Sequence, residues 1–197
     1  MQAQGLGEWF NQKQTQTKYL IKQIAALQVY INYLEKGYRI TQDGLHLIGD
    51  IKNGEFNLHQ NYFNSLKTVN PNIMRYPKLA AILSMQIGII NQHYSIIETS
   101  KGSGQFNAKE LHYISKVYEN LEDEAEKNLD ELQLVITNGQ MEMTDDERIN
   151  EIDNIYISVQ DKYSFSKSFS DRVKSLIEQR KHGRENEKGL KELYNPQ

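Results

Sequence analysis

Seven acidic residues crowd one short stretch of the chain: Glu119, Glu122, Asp123, Glu124, Glu126, Asp130 and Glu131. Carboxylates at helical spacing can ligate divalent cations. Helical di-metal carboxylate sites add a histidine three residues after a glutamate, and no Glu-x-x-His occurs here. The seven acids are also spread around the helix rather than focused on one face. They read as a solvated or partner-facing surface, and Glu122, Asp123, Glu126 and Asp130 are the acids expected to meet a partner.

The other chemically suggestive groups have structural readings. Thr144-Asp145-Asp146-Glu147 lacks the glycine and the alternating acids of a calcium loop. It reads as a helix N-cap with acids in the first turn, where the helix dipole favours them. The five histidines, His46, His59, His93, His112 and His182, form no pair at metal-ligand spacing. Gly102-Ser103-Gly104 lacks the lysine of a phosphate-binding loop. No nucleophile elbow or dinucleotide fingerprint occurs. The chain has no cysteine, which excludes disulfides, thiolate metal sites and cysteine nucleophiles. No catalytic residue, cofactor or metal is therefore expected.

The elements that would carry these residues are helices. Only three prolines occur, Pro71, Pro77 and Pro196, so long stretches are free to stay helical. Leu20, Ile24, Leu27, Ile31, Leu34, Tyr38, Leu45 and Ile48 alternate spacings of four and three, with Thr41 at the skipped position. That is a heptad seam, predicting a coiled-coil-like helix over about 8–49. Ala25, Ala26, Tyr30 and Tyr33 widen its stripe. Gly37 and Gly44 sit seven apart on one face, where they either break the helix or let another helix approach closely as a partner-binding position.

Asn53-Gly54 predicts a turn, and helices are expected at 58–69 and 73–99. Lys101-Gly102-Ser103-Gly104 reads as a flexible linker. A hairpin of two helices, 107–138 and 144–181, follows. Asn107 with Glu110 and Thr144 with Glu147 form capping boxes, and Asn138-Gly139 stops the first arm. Residues 182–197 read as a polar tail, frayed or disordered. The fold class expected is all-α: one elongated domain over 1–181, a bundle of about five helices with a long first helix and a C-terminal helical hairpin.

Charge is unevenly laid out around a net −3. Residues 119–153 hold thirteen Asp/Glu and two Lys/Arg, whereas residues 161–197 hold nine Lys/Arg and six Asp/Glu. The acidic block argues against nucleic acid as a partner and suits a basic protein surface. No apolar run approaches the ~20 residues of a membrane-spanning helix. Tyr156, Tyr163, Phe165 and Phe169 extend onto more than one face of the last helix. Core packing is the first reading of these rings, and a partner groove is the second.

Several segments together carry a family resemblance. They are Lys36-Gly37-Tyr38 through Gly44-Leu45, Ile48-Gly49-Asp50-Ile51-Lys52-Asn53-Gly54-Glu55-Phe56-Asn57-Leu58-His59, Met143-Thr144-Asp145-Asp146-Glu147-Arg148, and Asp161-Lys162-Tyr163-Ser164-Phe165 through Ser168-Phe169. Over about residues 20–180 the chain resembles a family of secreted helical proteins of Bacteroidota found near conjugative-transposon transfer genes. Members are labelled conjugal transfer proteins or TerB-like tellurite-resistance proteins. The shared motifs are turns and caps, so they mark kinship and no activity.

The resemblance implies export to the periplasm, with Met1-Gln2-Ala3-Gln4 as the stub beside a removed signal peptide. It also implies a non-enzymatic component of a type IV secretion-like transfer apparatus, acting through protein–protein contacts. Separately, the wide stripe on the first helix is either covered within one chain or leaves apolar surface for a second copy in a homo-oligomer. A metal-binding stress protein is the alternative that the tellurite label implies, and no residue set in the sequence matches its acidic site. A cytosolic coiled-coil adaptor is the third reading.

Overall fold

In the computed structural model, residues 15–32 and 66–194 are described. Among them the chain is all-helical, with no strand. Helix α1 occupies residues 15–32. A 3₁₀ turn at Ile73–Arg75 leads into α2, Pro77–Ser103. Helices α3, Ala108–Ile136, and α4, Asp145–Tyr194, follow. Gly37, Gly44 and the predicted stretches 8–14 and 33–49 lie outside the described residues, as does all of the predicted short helix before Leu66.

The contacts gather into two compact units, where the hydrophobic periodicity gave no boundary. Among described residues the first holds 15–32, 66–87 and 124–160. The second holds 88–123 and 161–194.

In the first unit the heptad positions Leu20, Ile24, Leu27 and Ile31 are all buried. Thr17 extends the same stripe by one step. Ala25 and Ala26 are exposed, so the stripe is narrower than the sequence suggested. Leu79, Ile82, Leu83, Leu129, Leu132, Ile152, Ile155 and Val159 are among the other buried apolar residues that mark this unit's core.

The connection between α3 and α4 is built around one charged side chain. Gly139, at φ +76°, ends α3 in the left-handed conformation that glycine adopts at least cost. Thr144 and Glu147 form the expected capping box. The Thr144 N–H donates to Glu147 Oε2 at 2.8 Å, and the Glu147 N–H donates to Thr144 Oγ1 at 3.2 Å. The Thr144 N–H, and then the Thr144 hydroxyl donating to Glu147 Oε2 at 2.9 Å, hold the Glu147 carboxyl below its ordinary pKa. The next residue, Arg148, is completely buried. Its guanidinium donates to the Val135 carbonyl, to Leu66 O at 2.9 Å and to Met141 O at 2.8 Å. Val135 lies in the last turn of α3, whose carbonyls have no intrahelical partner, so Arg148 satisfies a helix end from inside the unit.

In the second unit Ile96, Ile97, Ile114, Tyr118, Val173 and Ile177 form the core, with Phe106, Leu121 and Phe169 packed against it. The Tyr118 hydroxyl donates to Ser166 O at 2.8 Å and shares a hydrogen bond with Ser170 Oγ. Burial pushes the Tyr118 phenol above its ordinary pKa, and the Ser170 bond partly offsets that. Gly88 packs against the Tyr163 ring, and a Cβ there would stand 2.6 Å from Tyr163 Cε2. Alanine is worth about 1 kcal/mol over glycine inside a helix. Displacing a packed ring costs typically 1–3 kcal/mol. Gly88→Ala is therefore expected to destabilise by about 1 kcal/mol net, read as a lowered urea midpoint. A stabilised variant would show that the ring moves aside freely.

Two expectations are corrected. Residues 101–104 are no flexible linker, because α2 continues to Ser103. Gly104, at φ +61°, supplies the helix stop, and Ser103 Oγ caps backward to Ser100 O at 2.7 Å. Nor does the last helix end near residue 181. It runs to Tyr194 through Arg, Glu and Lys residues that favour helix, with Lys191 and Glu187 paired at 2.6 Å.

Candidate functional site

The acidic residues expected to face a partner are partly turned inward. Glu122 and its neighbour Glu119 are buried. Glu122 Oε1 lies 2.7 Å from His93 Nδ1, and the His93 ring stacks on Tyr118 with centroids 5.1 Å apart. Glu122 is thus a core residue of the second unit, correcting its assignment to a partner surface. Asp123 is half-buried. In the first unit Glu126 accepts from Gln16 at 3.2 Å, and Asp130 from Gln23 at 2.7 Å. Both donors belong to α1, so these acids help seat that helix on α3.

The expected surface role failed at Glu122 because of helical phase. On α3, Glu122 continues the buried series Tyr118 and Ala125 at spacings of four and three. On α2, His93 fills the step between Ile89 or Ile90 and Ile97. That phase was the available signal for a pair 29 residues apart in sequence. No group of three or more His, Asp or Glu side chains gathers to hold a metal ion among the described residues. No described helix is long and apolar enough to cross a membrane.

The most distinctive surface feature is an aromatic groove of about 560 Å³ in the second unit. Phe106 lines it from just before α3, Tyr113 and Ile114 from α3, and Phe165, Phe169 and Leu176 from α4. Local sequence positions both walls. The Asn107 N–H donates to Glu110 Oε2 at 2.9 Å, and the Glu110 N–H donates to Asn107 Oδ1 at 3.0 Å. This capping box fixes the first turn of α3; Phe106 stands just before it, and Tyr113 and Ile114 follow seven and eight residues later, about two turns on. On α4, Phe165, Phe169, Arg172 and Leu176 follow intervals of four, three and four.

Arg180 ties the two helices together near Phe106. It meets Glu110 Oε1 at 2.7 Å, donates to Gln105 O at 2.8 Å, and lies 5.0 Å from the centre of the Phe106 ring. The Arg180 guanidinium, and then the Asn107 amide, hold the Glu110 carboxyl below its ordinary pKa.

The groove's rings are open to solvent. Tyr113 is 63% exposed, Phe165 50% and Leu176 37%. Phe165 and Phe169 stack with centroids 6.0 Å apart, and Tyr113 meets Phe169 edge-on at 6.3 Å. The floor, Ile114 and Val173, belongs to the buried core, so the groove rests on a firm base. Exposed Lys109 and Arg172 stand on its rim. Its lining carries no nucleophile with an adjacent base. What it offers is apolar surface with two cations beside it, the chemistry of a groove that takes an amphipathic helix. Of the four aromatic residues singled out in sequence, Phe165 and Phe169 form this groove, while Tyr163 packs on Gly88 and Tyr156 stands 5.3 Å from the Lys78 ammonium. Set against family models, curated proteins and solved structures, the chain matches none of them.

Proposed function

We propose that the chain is a non-enzymatic helical component of a conjugative transfer apparatus, working in the periplasm through protein–protein contacts made at the aromatic groove. The groove carries the protein-contact part of this reading. Three large apolar side chains stay in water around a rigid floor, and exposed apolar surface rimmed by charge is characteristic of interaction sites. The setting rests on the resemblance carried by residues 36–59, 143–148 and 161–169.

A strain lacking the gene, complemented with wild-type or variant protein, provides the test. Deletion should lower conjugation frequency at least tenfold, and wild-type protein should restore it. Phe165→Glu combined with Tyr113→Glu should fail to restore transfer while keeping the wild-type helix content, because both side chains are exposed. Unchanged transfer on deletion would remove the conjugation setting. Full rescue by the double variant would remove the groove as the working surface.

A further inference from the structure

Beyond Ile177, no described side chain of α4 is buried. The helix nevertheless continues for seventeen residues, from Glu178 to Tyr194, about 26 Å at ~1.5 Å per residue. That arm includes Gly183 and Gly189, each costing roughly 1 kcal/mol in a helix, and an isolated helix of about this length is marginal in water. The arm is also amphipathic. Leu190 is 54% exposed and Tyr194 82%, one helical turn apart.

The arm and the groove share one spacing. In the groove, Phe165, Phe169, Arg172 and Leu176 are separated by four, three and four. In the arm, Gly183, Glu187, Leu190 and Tyr194 are separated by four, three and four. At ~100° per residue both sets fall on the same narrow face of α4. The interval pattern reads identically in either direction, so the helix can lie antiparallel on its own copy.

We propose that the groove's occupant is a second copy of this chain, with α4 packed antiparallel on α4 about a two-fold axis between Gln179 and Arg180. The inference rests on the groove being a docking surface. In this register Tyr194 meets Phe165 and Leu190 meets Phe169, so each arm enters the other copy's groove. Gly183 lies opposite Leu176, where the missing side chain lets the two backbones approach. Glu187 faces Arg172, joining opposite charges twice by symmetry.

A parallel pair would set Arg172 against Arg172 and Glu187 against Glu187, and would leave the groove unfilled. The Glu187–Lys191 contact within one chain is an exposed pair, and such pairs are worth little, so it exchanges readily for Arg172. The closed two-fold arrangement is the commonest symmetry of homo-oligomers. At about 150–250 Å² per aromatic side chain, the exposed parts of Tyr113, Phe165, Leu176, Leu190 and Tyr194 give on the order of 1,000 Å² over two copies. That is the size of a weak, concentration-dependent interface.

Sedimentation velocity of the full chain, from low to several hundred micromolar, tests the proposal. The average mass should rise from one chain to two. Leu190→Glu with Tyr194→Glu should stay at one chain mass throughout, with unchanged helix content in the rest of the molecule. Arg172→Glu should raise the dissociation constant about tenfold, and adding Glu187→Arg should bring it back. A single chain mass for the wild type across the whole range would overturn the proposal. So would a dimer indifferent to the Leu190 and Tyr194 changes, or a charge swap that does not recover. If the wild type is monomeric while the Phe165 and Tyr113 variant still fails in conjugation, the groove remains a docking surface and only the second copy is lost as its occupant.

Discussion

Replacing Arg148 with alanine is expected to cost the fold about 3–5 kcal/mol. The side chain is fully buried and donates to three backbone carbonyls, from the end of α3, the turn after it and the segment at Leu66. Truncation would leave Val135 O and Met141 O without that partner. Each buried polar group left unpaired costs about 1–3 kcal/mol. Leu66 O would fare better, because it also accepts the Met143 N–H at 3.1 Å. The void left by the guanidinium adds a cavity contribution.

Burial lowers the Arg148 pKa, and the nearby Asp145 carboxylate opposes that shift. The ordinary guanidinium value is high enough that the group stays charged at neutral pH. Arg148→Lys should recover less than half of the loss, since one ammonium cannot reproduce the fork that spans three acceptors. Urea unfolding followed by circular dichroism measures both variants. An alanine variant within 1 kcal/mol of wild type would show that Arg148 is not what closes this junction.

The second large effect concerns Glu122. Glu122→Ala should destabilise by about 2–4 kcal/mol, because it deprives the nearly buried His93 ring of its 2.7 Å partner and opens space beside Tyr118. His93→Ala should cost a similar amount for the converse reason. Made together, the two changes should cost less than their sum by about 1–2 kcal/mol, the signature of groups in direct contact. Glu122→Gln keeps an oxygen in place and should be milder than alanine. Additive single effects would show that the pair makes no energetic contact. A Glu122→Ala protein of wild-type stability would return this residue to the surface role that its charge suggested.

What was legible in the sequence was what local rules determine. The seam through Leu20, Ile24, Leu27 and Ile31, the capping boxes at Asn107 and Thr144, and the stop at Gly139 each follow from a few neighbouring residues. The all-helical class followed from them. Arg148 was visible only as part of a motif, because its three acceptors come from segments far apart in sequence or in turns. The His93–Glu122 pair was hidden by treating charge as a sign of exposure, although helical phase put both residues on buried faces. Gly102 and Gly104 suggested a linker because glycine spacing alone does not reveal which glycine takes positive φ. The groove was half legible: the rings on α4 were conspicuous, but the α3 wall that makes them a groove depends on tertiary packing.

The unburied arm of α4 has a consequence for how this molecule breathes. Past the Arg180 contacts to Glu110 and Gln105, the described side chains from Lys181 to Tyr194 are exposed, so the amides there open by local fraying rather than by global unfolding, and open regions exchange their hydrogens early. The amides around Ile155 and Val159, in the buried core, open only with much more of the structure. One continuous helix thus carries two very different opening free energies along its length. Slowed exchange confined to the arm would report its coverage directly, residue by residue, without any change in helix content.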